Sequence, residues 1–422
     1  MKIRLSKLGL SIAVLTIFVL VLATALVGYA KEEKPGAKPA LAVKELLIGC
    51  NLPFSGPGAS WGIPLRKGMD IYVDLVNEDG GILVGADKYK IKMSYVDDKY
   101  TAEGAREAAE KLIYKDKVRF MVGIFGSAVI AAVAPIANKE KIIVIHGNAG
   151  GAEVVKPEWP YIFQYGSRLV TSIGAEFQVL IKDHPEIKKI GGLCRDDALG
   201  AVYSRILGSQ RVDLEKKLNI GIVWPITLYP LGTNDFYPYL GKLKEANANA
   251  VWGAPSAAEL ALWCKQSHEL GYNFWFVVHG TLTDVKNFIS VAGQEAAQYA
   301  YFQRSPVWEI STTPPKYKEM AIRIRDRYLK QYGEPMDYDG SFSYGSAHLA
   351  LLFEALGKAR SLDPNAIKQV LQTESFSTFM GTCKADGEKT YGIKNTFPVP
   401  TMMGKIKGDR PVYINQAVDY LP

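Results

Sequence analysis

Histidine is scarce in this chain. Only His146, His184, His268, His279 and His348 occur in 422 residues. A reacting constellation would have to be assembled from isolated positions, and no motif offers one. There is no Gly-Lys-Ser/Thr phosphate loop, and His268-Glu269 lacks the second histidine of a zinc helix. An enzyme, a metal centre and a resident cofactor are not expected. Cysteine is almost as rare. Cys50, Cys194, Cys264 and Cys383 stand too far apart for a metal motif or a disulfide-dense scaffold. Buried free thiols are expected, with a single Cys194–Cys383 bridge as the alternative. A dense Lys/Arg stripe is also missing. Residues 1–30 hold Lys2, Arg4 and Lys7 and no acid, so the formal net charge of +7 becomes +4 without them. So mild a basicity excludes a nucleic-acid partner on composition. Past the N-terminus, no apolar run is long enough to cross a bilayer.

At the N-terminus such a run does occur. Leu8–Ala30 is uncharged, follows three basic residues and ends in Gly28-Tyr29-Ala30, small at −3 and −1. This reads as a secretory signal peptide over residues 1–30, cleaved after Ala30, with an uncleaved membrane anchor as the alternative. An exported, periplasmic protein follows, held to the outer face of the membrane if the segment stays. Residues 31–44, rich in Lys, Pro and Ala, read as a mobile leader.

The remainder alternates strands with helices. The clearest unit is Val118–Gly150: an apolar strand to Ile124, a glycine turn, a helix over Ala128–Asn138 and a strand at Lys141–Ile145. Two buried strands joined by a crossover helix imply a parallel sheet. Glu45–Cys50 and Tyr89–Val96 supply further strands, with helices at Pro64–Asn77 and Ala102–Lys115. A second series runs from a helix at Val170–Lys182 through strands at Lys189–Leu193, Ile220–Trp224, Ala250–Gly253, Phe274–Val278 and Gln298–Gln303. Helices follow at Pro315–Tyr332, Gly340–Lys358 and Asn365–Leu371, and the tail from Thr378 reads as short strands. The fold class is α/β, with two doubly wound parallel-sheet lobes.

In open α/β sheets ligands bind beyond the carboxyl ends of the strands. There Gly123 and Gly126 remove side chains and Ser127 takes the N-cap position of a helix, whose free N–H groups suit an anion. Ser127 either holds such an anion or only caps its helix. Gly56-x-Gly58-x-x-x-Gly62 is one residue too long for a dinucleotide fingerprint, and no acid follows at the right distance.

The same residues carry a resemblance. Pro53, Ser55, Gly56, Gly62 and Gly68, then Asn77-x-x-Gly80-Gly81-Ile82 and Asp97, are similar to the branched-chain amino-acid-binding proteins. These are extracytoplasmic solute receptors of ABC importers with the type I periplasmic-binding fold. The likeness continues through Gly123–Ser127, Tyr161-x-Phe163, Asp196–Gly200, Gln266-x-x-x-x-Gly271 and Ala292-Gly293, nearly the whole mature chain.

That resemblance implies two lobes joined by three hinge crossings that close on a solute without chemistry. The crossings are expected near Gly166–Leu169, Gln303–Pro306 and Thr378–Cys383. Residues 45–167 and 304–379 then form lobe 1, and residues 168–303 and 380–422 form lobe 2. It also implies site residues. Ser127, with Ala128 beside it, falls where the family holds the ligand carboxylate, and Trp61 falls on an aromatic wall. Ala149 and Gly150 fall in the loop that supplies a carbonyl and a threonine hydroxyl to the ammonium, but glycine replaces the threonine. Leu199 replaces a second-lobe tyrosine. The family acid for the ammonium has no counterpart in Val278-His279-Gly280-Thr281. The carboxylate half of the site is thus kept and the ammonium half lost. Phe125 and Tyr165 complete the expected apolar walls, and His146, Asn148, Ser256, His279 and Thr281 are the polar candidates. His184 and His268 read as surface residues and His348 as packed in its helix. The expected function is solute binding for an ABC importer, the ligand being a hydrophobic amino acid or an aliphatic or aromatic carboxylate. A membrane permease is the expected partner of a monomeric binding protein. A solute-sensing ectodomain and, more remotely, a cleft enzyme are the alternatives.

Overall fold

Short apolar runs build the centre of each lobe. In the computed structural model, β4 (Phe120–Phe125) and β5 (Ile143–Gly147) pair in parallel, with Phe120 opposite Ile143. Successive side chains point to opposite faces of a sheet, so both faces are buried when both kinds are apolar. Phe120, Val122, Ile143 and Ile145 enter one core cluster, while Met121, Ile124 and Val144 enter another. The structure describes residues 43–147, 154–166, 169–280, 282, 285–304, 313–333, 341–399 and 401–417. The signal and leader segments lie outside these residues but for Val43 and Lys44, which open the first strand.

The first sheet adds β1 (Val43–Leu52), β2 (Ile82–Val84), β3 (Asp87–Asp97) and β6 (Ile162–Tyr165) in the order β6-β5-β4-β1-β3-β2. All are parallel except β2, which forms a hairpin with β3. The second sheet contains β7 (Lys189–Arg195), β8 (Gly221–Tyr229), β9 (Ala250–Gly253), β10 (Trp275–Val278) and β11 (Ala300–Arg304). They stand in the order β11-β10-β9-β7-β8, all parallel. Its two faces again feed separate cores, one around Trp252 and Val277 and the other around Phe276 and Val278. Two doubly wound lobes result.

The tail departs from expectation. A small hairpin, β12 (Ser375–Thr378) and β13 (Gly381–Lys384), buries Phe376, Phe379, Met380 and Cys383 in the first-lobe core. The chain then adds β14 (Thr396–Phe397) to the outer edge of the first sheet, beside β6. Only after it do β15 (Thr401–Lys407) and β16 (Arg410–Ala417) join the second sheet, antiparallel to β11 and to each other. The third crossing therefore lies between Val399, which is still in the first core, and Thr401 rather than near Thr378–Cys383, because the Phe376–Cys383 side chains belong to the first core as well. Residues 380–397 fall with lobe 1. Cys194 and Cys383 are buried in different lobes, so no bridge joins them, and all four cysteines are free and buried. Burial pushes the Cys194 and Cys383 thiols up to about 12.

Candidate functional site

The chain leaves the first sheet at the C-terminal end of β6 and begins the helix Leu169–Asp183, which packs on β10 and β15 of the second. It leaves the second sheet at the C-terminal end of β11 and returns to the helix Pro315–Tyr332, which packs on the first-lobe helix Ala59–Glu78. The carboxyl edges of both sheets thus border the junction of the lobes, where the crevice rule places a ligand.

On the first-lobe edge, two glycines shape the turn after β4. Gly123 has φ +79° and coincides with a register shift between Val122 and Phe125. Gly126 has φ +98°, and a Cβ there would lie 2.8 Å from the Tyr100 ring. Gly126 rather than Ser127 is the N-cap, so Ser127 is the first helical residue of Ser127–Lys139. The left-handed backbone explains the shift: a β-region serine cap cannot be placed where φ must be positive. Ser127 is partly exposed and Ala128 exposed, and the Phe125 and Tyr100 rings stand beside them with centroids 6.2 Å apart. The helix start is therefore open to an anion, with aromatic surface alongside.

Behind it, Asn51 donates Nδ2–H to Asp98 Oδ2 at 3.1 Å, and the Tyr100 N–H donates to Asp98 Oδ1 at 2.8 Å. Both Asn51 and Asp98 are fully buried, and burial pushes the Asp98 carboxyl up to about 6. Asp97 acts differently. It accepts the Phe54 N–H at 2.9 Å and the Ser55 hydroxyl at 2.6 Å, fixing the loop that follows β1. Burial opposes its ionisation, but these bonds and that from the Lys99 N–H hold the carboxyl below its usual value.

On the second-lobe edge, His279 follows β10. Its Nδ1 lies 2.7 Å from Glu176 Oε1 and 3.1 Å from Ser172 Oγ. Glu176 is wholly buried and accepts the Trp252 indole N–H at 2.8 Å on Oε2. Arg195 closes β7, with Nε 3.3 Å from Asp197 and a guanidinium nitrogen 3.6 Å from Glu259. Ser256 is exposed and caps the helix Ala257–Glu269 in a reciprocal box with Glu259.

The expected site residues separate. Ser127, Ala128, Phe125, Ser256 and His279 stand at the two carboxyl edges. Tyr165 does not: it is wholly buried, its hydroxyl is bonded to Thr378 and its ring packs on Phe397 and His348, so it is core rather than wall. His146 is also wholly buried and offers no surface to a solute. Burial first, and the nearby His348 second, push its imidazole down to about 3. His184 is not a plain surface residue either, since its ring stacks on Trp275 at 3.6 Å. Trp61 and Leu199 lie in helices whose side chains at these positions lie outside what the structure describes, and Asn148, Ala149, Gly150 and Thr281 lie outside the described residues. Glu176 escaped the sequence reading. Its signal was present: Ser172, Glu176 and Leu180 share the stripe of an otherwise apolar helix, a spacing that buries a carboxylate and obliges it to find donors.

Residues 45–399 match the profile of the family described as periplasmic binding protein. The chain belongs to that family. Among relatives of this periplasmic binding protein, Leu/Ile/Val-binding protein homolog 7 of Brucella suis is 24% identical over 359 residues, 82% of this chain and 86% of the relative. The branched-chain amino acid transporter substrate-binding protein LivJ of Streptococcus pneumoniae, solved with isoleucine, is 20% identical with a TM-score of 0.68. That match covers 89% of this chain and 99% of the other. An ABC-transporter solute-binding protein of R. palustris, solved with benzoate, is 19% identical with a TM-score of 0.65, over 89% and 97% of the two chains. At such identities the structural likeness speaks for the shared fold. In the described part of this periplasmic binding protein, no helix is long and apolar enough to cross a membrane.

Proposed function

We propose that this periplasmic binding protein is the exported solute receptor of an ABC importer of the branched-chain amino acid type. It closes its two lobes on a small carboxylate-bearing solute and delivers it to a membrane permease, with no chemistry on the ligand. The observation that carries the ligand class is the contrast between the two cleft edges. The first lobe offers the open helix start at Gly126–Ser127, suited to a carboxylate. The second offers an imidazole, His279, in front of its buried acid, so Glu176 is engaged by His279 and Trp252 instead of awaiting an ammonium. An ammonium closed into a cleft without an anion is costly. Simple aliphatic or aromatic carboxylates should accordingly bind at least as well as amino acids. Calorimetric titration of leucine, 4-methylpentanoate and benzoate tests this. A leucine affinity an order of magnitude or more above that of 4-methylpentanoate would mean that an acid meets the ammonium and that the reading is wrong.

A further inference from the structure

We propose that His279 makes the second lobe a reader of a hydroxyl group, so that the ligand class is a hydroxylated carboxylate. The proposal rests on the carboxylate reading above and extends it to the ligand's other end.

Glu176 has no exposed surface, and a buried carboxylate needs donors. Trp252 supplies one at Oε2, and the His279 Nδ1 supplies the other at Oε1, 2.7 Å away. The hydrogen of His279 is thereby assigned to Nδ1, which faces inward. Tyr203 packs edge-on against the imidazole with centroids 5.6 Å apart and fixes its plane. Nε2 is left on the far side of the ring, with no partner among the described residues, and the side chain is 16% exposed.

Nε2 accepts a hydrogen bond when the ring is neutral and donates one when it is charged. A ligand hydroxyl satisfies both states because it donates and accepts. A second carboxylate satisfies only the charged ring, and an ammonium only the neutral one. A hydroxyl, unlike a carboxylate or an ammonium, suits Nε2 throughout.

A site built to bond a hydroxyl rejects the analogue that lacks it, because its own polar group is then left unpaired. The test is calorimetric titration at pH 7.5 of three pairs: hexanoate and 6-hydroxyhexanoate, benzoate and 4-hydroxybenzoate, phenylacetate and 4-hydroxyphenylacetate. Terephthalate serves as the dicarboxylate. In at least one pair the hydroxylated member should bind roughly tenfold or more tightly than its parent. That ratio should collapse to about one in His279→Phe and stay intermediate in His279→Gln, which retains a donor for Glu176. Thermal melts establish that each variant is folded, and His279→Gln carries the comparison should the phenylalanine variant not fold. Parents that bind with no hydroxyl gain in any pair would overturn this proposal and leave the carboxylate reading standing. So would a hydroxyl preference that survives loss of His279, or terephthalate binding above all hydroxylated members. If neither parents nor hydroxylated members bind, the carboxylate reading falls and takes this proposal with it.

Discussion

Acid should weaken this fold before most of its carboxylates titrate, and the sign follows from two buried imidazoles. Burial pushes His146 down to about 3 and His348 to about 4. His348 is fixed by Nε2 on the Tyr165 carbonyl at 2.8 Å. In the unfolded chain both titrate near ~6.5. Below that value the unfolded chain binds protons that the fold refuses, so stability present at neutral pH is lost as the pH falls. At pH 5 the loss is about 2 kcal/mol per histidine relative to pH 7. Asp98 acts in the opposite direction. Its folded value, about 6, lies above its unfolded one, so the fold takes up a proton first and gains stability as the pH drops. That gain is about 1 kcal/mol at pH 5. The carboxylates held low by Arg323, Arg327 and Lys111 stay charged through this window. The net loss of about 3 kcal/mol corresponds, for a chain of this size, to a Tm lower by roughly 3–4 °C. Scanning calorimetry at pH 7 and pH 5, on the wild type and on the double variant His146→Gln, His348→Gln, measures it. The double variant should lose the acid sensitivity or reverse it, leaving the Asp98 sign. An equal drop in Tm for both proteins would refute the assignment to these histidines.

Four further outcomes are expected. Ser127→Ala should weaken binding of the preferred carboxylate by roughly ten- to over a hundredfold, the value of about 1.5–3 kcal/mol for one hydrogen bond to a charged group, read by calorimetry. Gly126→Ala should lower stability by about 1 kcal/mol or more, read by denaturant unfolding, because φ +98° disfavours a side chain and its Cβ would meet Tyr100. Saturating ligand should reduce the radius of gyration in solution scattering, and an unchanged profile would count against closure. N-terminal sequencing of the exported protein should begin at Lys31, and a retained Leu8–Ala30 would favour the anchor.

Most of the fold was legible because long periodic segments and short buried strands leave strong patterns. The helix expected at Pro315–Tyr332 and the strand Ala250–Gly253 match end to end. What escaped is short or nonlocal. β6 is four residues with Gln164 among them, and β14 is two. Neither holds a periodic signal, and membership in one sheet or the other is decided by packing that a local pattern does not contain. The third crossing was misplaced for this reason. Within the candidate site, residue types were readable but inward or outward direction was not. Tyr165 and His146 end strands at the right edge, yet both turn into the core. Glu176 lay in plain sight on an apolar helix, but its partner His279 is 103 residues away.

The crossings carry a mechanical consequence. Three residues separate Tyr165 from Leu169, and one separates Val399 of the first-lobe core from Thr401. Each is a tether of at most about 14 Å, set by the chain's extended reach. Two short leashes determine a line. Rotation about that line costs little, whereas sliding one lobe across the other would stretch both at once. The remaining link runs eleven steps of chain, from Arg304 to Pro315. The mechanics favour a door on two pins over a drawer on rails, and lengthening either pin by a few residues should loosen the register in which the two edges meet.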